Sequence, residues 1–232
     1  MFTRRTFFAT AAAVSVATTT ANAQDACSVL TPARQKATTP EQALEMLKAG
    51  NARFASGKLV NCDPMVQVRA TASGQYPVAV VIGCIDSRVP PELVFDQNIG
   101  DIFAARVAGN FVNDDIVGSV EFATKVAGAK VIVVLGHTEC GAIKGAVDGA
   151  KLGRLTKMLE NFKPAVEASK GVEGEKTSKN KKLVQAVADS NAMLAAKKLT
   201  ARSDVLREMV ANKQLIIVSA MHDISTGVVK FL

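Results

Sequence analysis

Two short clusters in this chain combine thiol, imidazole and carboxylate groups at spacings that suit a metal ion. The first is Cys84-Ile85-Asp86-Ser87-Arg88; the second, His137-Thr138-Glu139-Cys140, follows about fifty residues later. Thiolate sulfur and neutral imidazole nitrogen are donors that zinc prefers. Two thiolates and one imidazole fill three corners of a tetrahedron and leave the fourth open. That is the arrangement of a catalytic zinc, whereas a structural one is closed by a fourth Cys or His. Cys84, His137 and Cys140 are therefore the expected ligands of one Zn²⁺ per chain. His137 and Cys140 are three residues apart, so at a strand-to-helix turn both can face one ion. Asp86 follows Cys84 by two residues and Arg88 follows Asp86 by two, so an extended turn places all three on one side. Asp86 then reaches either the metal, as a fourth ligand, or Arg88.

Each cluster comes directly after an apolar, largely β-branched run, residues 78–83 before the first and 131–136 before the second. Runs of this kind read as strands buried on both faces of a parallel sheet. In open α/β sheets, sites form just past the carboxyl ends of such strands. Further strands are predicted at 102–107, 215–220 and 227–231. A helix is expected to start at Thr39-Pro40-Glu41, with a capping hydroxyl and Pro at its first position, and to stop near Gly57. Others are expected from Pro90, over 114–127 and 141–147, and over 153–170 and 179–211, the last two parted by Gly171-Val172-Glu173-Gly174. Strands alternating with helices give an α/β fold, a central mostly parallel β-sheet flanked by helices. The 141–147 helix begins directly after Cys140, which puts its first N–H groups and positive dipole end near that thiolate.

The 232 residues suffice for one well-buried domain, expected over 39–232. Ahead of it, Arg4-Arg5 and a small-residue apolar stretch lead to Ala21-Asn22-Ala23, which reads as a twin-arginine signal peptide over 1–23. That implies a periplasmic protein. The apolar stretch is too short and too weakly apolar to span a membrane stably. Residues 24–38 are expected to be a poorly ordered arm. Without Arg4 and Arg5 the printed charge of +7 falls to +5, and the excess is concentrated in 151–213, where 14 Lys/Arg face 7 Asp/Glu. With no Trp and a single Tyr, the basic segment lacks aromatic groups for base stacking and reads as solvated helix faces, not a nucleic-acid surface. Cys27 and Cys62 remain outside the metal set, either as a disulfide pinning the arm in an oxidising compartment or as two free thiols.

C-x-D-S-R after one strand and H-x-x-C after another, in that order, resemble the β-class carbonic anhydrases. The resemblance runs from about Thr39 to the C-terminus and takes in Gly74-Gln75, Arg106-Val107-Ala108-Gly109-Asn110, Cys140-Gly141-Ala142 and Asp223-Ile224-Ser225-Thr226-Gly227. It implies reversible hydration of carbon dioxide to bicarbonate and a proton, with subunits paired as homodimers or homotetramers. It also implies two states for Asp86: a metal ligand in a closed form, or a partner of Arg88 in an open form that leaves the fourth position to water. Gln75 matches a substrate-binding glutamine of the open subclass, Phe103 an apolar pocket residue, and Gly141 the glycine after the last ligand. His222 stands where the family often has Tyr. Two other functions compete: hydrolysis of CS₂ or COS on the same scaffold, and a non-catalytic, zinc-stabilised binding protein. Arg88 and Gln75 speak against the second, since a purely structural site needs neither.

Overall fold

The structure, a computed structural model, describes residues 27–232. The expected signal peptide and the first three residues of the arm lie outside them. Five strands form one sheet in the order β2-β1-β3-β4-β5, where β1 is Ala79–Gly83, β2 Ile102–Arg106, β3 Val131–His137, β4 Ile216–His222 and β5 Val229–Phe231. The first four are parallel, and β5 runs antiparallel to β4 at one edge. The alternation along the strands is carried through to the core. Ala79, Val81, Val131, Val133 and Leu135 pack on one side with Leu30, Ala43 and Leu47. Val80, Ile82, Ile132 and Val134 pack on the other with Val120, Leu199 and Leu206. Both faces are covered, so both must be apolar, which is why the strand sequences read as unbroken apolar runs.

From β1 the chain crosses to β2 on one side and then returns to lay β3 on the other. The carboxyl ends of β1 and β3 therefore meet at the point where strand order reverses, which in such sheets opens a crevice. The two clusters, Cys84 to Arg88 and His137 to Cys140, both begin there.

The helices follow the sequence with instructive differences. Helix α2 (Pro40–Ala55) begins as expected, and Thr39 and Gln42 cap each other's backbone N–H in a reciprocal box. Within the segment expected as a poorly ordered arm, the described part is instead tied down. It forms α1 (Pro32–Ala37), capped by Thr31, and buries Leu30 in the core. The Leu30 N–H donates to Asp101 Oδ1 at 3.2 Å, and Gln35 Nε2 donates to the Pro77 and Ala127 carbonyls at 2.7 Å each. Cys27 and Cys62 are joined by a disulfide with Cα atoms 5.4 Å apart. Between them and β1 lies α3 (Pro64–Thr71), started by Asp63 and Pro64 and not anticipated from the sequence.

Short α4 (Pro91–Val94) follows the first cluster. The helix expected over 114–127 is α5 (Asp114–Glu121), continued by a wider π turn over Phe122–Val126. Helix α6 (Gly141–Val147) is as expected. The 153–170 helix divides into α7 (Gly153–Leu159), a 3₁₀ turn and α8 (Lys163–Ala168), with Pro164 in the first turn of α8. The 179–211 helix divides into α9 (Lys181–Arg202) and α10 (Asp204–Ala211) at Ser203. That residue takes extended backbone angles, caps α10 through Leu206 N–H, and donates from its hydroxyl to Glu121 Oε1 at 2.6 Å.

Candidate metal centre

Cys84 is the first residue past β1, His137 the last of β3, and Cys140 the N-terminal cap of α6. All three are buried, at 4%, 0% and 1% exposure, and one donor atom from each lies within 4.8 Å of the other two. Glu139 takes a left-handed backbone, φ 57°, which turns the chain sharply enough to bring Cys140 back beside His137. Glu139 itself points outward to an ion pair with Lys144.

The donors are prepared for a metal. His137 Nδ1 lies 2.9 Å from the Thr138 carbonyl oxygen, and a carbonyl only accepts, so Nδ1 carries the proton. Nε2 is left with its lone pair, buried and without a hydrogen-bond partner. An orphaned ring nitrogen beside two buried sulfurs is costly unless an ion completes it. The two sulfurs are unequal. A hydrogen bond from the Cys140 thiol pulls Cys84 down to about 4, helped by the Gly109 N–H and opposed by burial. Cys140 is pushed up by that same bond to the Cys84 thiolate and by burial, against the favourable Ile143 and Ala142 amides at the start of α6. The pair thus shares one proton, which a divalent cation would displace.

Asp86 lies beside this cluster and not in it. Arg88 holds it with two parallel bonds, Nε to Oδ1 at 2.9 Å and Nη2 to Oδ2 at 2.7 Å, and the Arg88 backbone N–H adds a third at 3.0 Å. The Arg88 guanidinium keeps the carboxyl well below the usual carboxylate range. Asp86 Oδ2 comes within 3.8 Å of His137 Nε2, so the ionised carboxylate borders the same space as the metal donors.

Two residues of β2 and its turn hold the Cys84 loop, and sequence reading assigned neither a role. Arg106 donates from Nε to the Cys84 carbonyl at 2.8 Å and from Nη2 to the Asp86 carbonyl at 2.7 Å. The Gly109 N–H donates to Cys84 Sγ at 3.1 Å. Both sit in the Arg106 to Asn110 run that carries the family resemblance, and an Arg ending a strand beside the metal strand was the available signal.

Gly141 opens α6 next to Cys140, and a Cβ added there would meet nothing within 4 Å, so packing does not demand the glycine. Gln75 and Phe103 are not brought to the cluster of their own chain. Gln75 is exposed ahead of β1, at the opposite end from Cys84, and β1 alone spans roughly 16 Å. Phe103 pairs with Val80, four residues before Cys84, and packs edge-on against Phe122. His222 closes the β3–β4 ladder opposite His137, buried, with Nδ1 unpartnered and its basicity lowered by burial and by His137.

A buried Cys₂His set at the switch point of a parallel sheet, with one carboxylate at its border, could hold a metal ion in an open α/β fold. Comparison with known proteins makes this specific. The carbonic anhydrase family model matches residues 79–229. Carbonic anhydrase 2 of Mycobacterium tuberculosis is 35% identical over 198 residues, covering 82% of this chain and 91% of that protein. The crystal structure of the β-carbonic anhydrase CafA of Aspergillus fumigatus is similar at a TM-score of 0.65 and 26% identity, over 83% of this chain and 89% of that one. A structure from a study of two tetrameric β-carbonic anhydrases of Sordaria macrospora gives 0.63 and 27%, over 72% and 90%. The chain belongs to the carbonic anhydrase family and is an enzyme of its β class.

Proposed function

We propose that the protein hydrates carbon dioxide reversibly to bicarbonate and a proton, using one Zn²⁺ held by Cys84, His137 and Cys140. The observation that carries this is the unpartnered His137 Nε2, clustered with the buried sulfurs of Cys84 and Cys140 within 4.8 Å of one another. Zinc bound there supplies a Lewis acid that makes water nucleophilic at neutral pH. The chain's own residues do the rest. Arg88 fixes Asp86, and the fixed carboxylate, ionised and bordering the donors, accepts a hydrogen bond from the reacting water and orients its lone pair toward carbon dioxide. Arg106 anchors the loop that carries both Cys84 and Asp86. The engagement of Asp86 by Arg88, away from the donor set, supports the open form.

Gln75 and Phe103 are proposed to act in the site of a second copy. They are too far from their own cluster, and β2 is a half-exposed edge strand. A cavity of about 690 Å³ opens between β2 and α5, lined by Phe103, Ser119 and Phe122, and Phe122 is 54% exposed. Exposed apolar surface of this kind marks an interaction site. We also propose export to the periplasm through the twin-arginine signal over 1–23, with a Cys27–Cys62 disulfide suited to that oxidising compartment. Among the described residues no helix is long and apolar enough to cross a membrane.

Substrate choice is tested by stopped-flow turnover of the zinc-loaded protein with CO₂, COS and CS₂ in parallel. CO₂ should be turned over fastest; a CS₂ or COS rate above the CO₂ rate would reassign the substrate.

A further inference from the structure

We propose that Asn191 is a positioning residue for the Cys84 thiolate, acting through Gly109; the proposal rests on the reading of Cys84 as a zinc ligand. Asn191 lies on α9, far from either cluster in sequence, and is 5% exposed. Its Nδ2 donates to the Gly109 carbonyl at 2.8 Å, and Gly109 in turn donates its N–H to Cys84 Sγ at 3.1 Å. The bonds run in series from the helix to the sulfur.

The placement of Asn191 is unfavourable on two counts unless it serves such a bond. Asparagine is a poor helix former, and here it sits inside a 22-residue helix. Its amide is buried along a face that carries Val187, Ala188, Ala192 and Ala195, where an apolar side chain would avoid the desolvation cost.

Gly109 needs the restraint. It has φ +74°, and a Cβ there would stand 2.4 Å from Phe162 Cζ, so the position takes no side chain that could fix it by packing. A glycine loses more backbone freedom on ordering than any other residue. The Asn110 N–H bond to the Val107 carbonyl, 3.0 Å, closes the turn on one side. Asn191 holds the carbonyl on the other, and the Gly109 N–H is left aimed at the sulfur. An N–H donor withdraws electron density from a metal thiolate and fixes its direction, as outer-shell partners of metal ligands generally do.

The test uses the mature chain loaded with cobalt(II), in the parent and in Asn191→Leu, Asn191→Ala and Cys84→Ser. Asn191→Ala raises helix propensity, so it covers the case in which leucine disturbs packing. Both Asn191 variants should release cobalt to a chelator about tenfold faster. Their thiolate-to-cobalt charge-transfer band should move to lower energy, because the sulfur has lost a donor. Parent-like release and an unmoved band would overturn the proposal. Faster release with an unmoved band would overturn it equally, since that is general loosening. Cys84→Ser separates the two readings: if it keeps a full equivalent of cobalt with the parent band, the ligand assignment itself has failed.

Discussion

Arg88 grips Asp86 side-on, with Nε on Oδ1 and Nη2 on Oδ2, and turns the carboxylate so that Oδ2 stops 3.8 Å from His137 Nε2. Two parallel bonds fix orientation as well as charge, which a single contact from a lysine would not. Asp86→Asn should therefore keep a full equivalent of zinc, since three ligands remain, while turnover falls about 100-fold with loss of the ionised acceptor. Arg88→Ala should also cost activity, by freeing Asp86 to close onto the metal. Zinc content and CO₂ hydration measured on the same preparations check both. Loss of zinc in Asp86→Asn would make Asp86 a ligand and end the open-form reading.

The disulfide closes a loop of sequence separation 35, for which chain entropy implies about 3 to 4 kcal/mol of stabilisation. Cys62→Ser should lower the thermal midpoint by roughly 10 °C. Activity at room temperature should persist, because the pinned segment bonds to Asp101 and Pro77, at the amino ends of β2 and β1 and away from the metal donors. A melt indistinguishable from the parent would show that the bridge contributes nothing.

If residues 1–23 are the proposed twin-arginine signal, changing both Arg4 and Arg5 to Lys should hold the full-length chain in the cytoplasm. Fractionation and N-terminal sequencing decide it. A periplasmic form beginning at Gln24 in the variant would refute the route.

If Gln75 and Phe103 serve the site of a second copy, a charge at the exposed Phe122 should separate the copies. Phe122→Glu is expected to reduce the mass seen by light scattering to that of one chain and to cut activity at least tenfold, on the order of an interface hot spot. A monomeric variant with parent activity would leave Gln75 and Phe103 without a role in catalysis.

The strands were legible because a sheet covered on both faces needs apolar residues at every position, and residues 79–83 and 131–136 supply them. The three donors were legible because two clusters, each at the end of an apolar run, together offer two thiols and an imidazole at a spacing that suits one metal, whereas a single Cys would read as packing. Ser203 could have been found, since Ser followed by Asp is a helix start, but the surrounding Lys- and Leu-rich sequence favours helix on both sides and masks it. Residues 27–38 misled because their order comes from Leu30, Gln35 and Cys27, each satisfied by a partner distant in sequence. The same holds for Arg106, Gly109 and Asn191. Their roles are hydrogen bonds across elements, and no local pattern announces which carbonyl or sulfur a buried donor will meet. Gln75 and Phe103 matched a motif that is linear in sequence, while the fold puts them beyond reach of their own metal donors.

The most direct measurement is CO₂ hydration by stopped flow during titration of the metal-free mature protein with zinc, with Cys140→Ser as control. Activity should rise in proportion to zinc and level off at one equivalent per chain, and the control should remain at the buffer rate. A parent protein that takes up one tight equivalent of zinc and still hydrates CO₂ no faster than buffer would contradict the account and leave a zinc-stabilised protein without this activity.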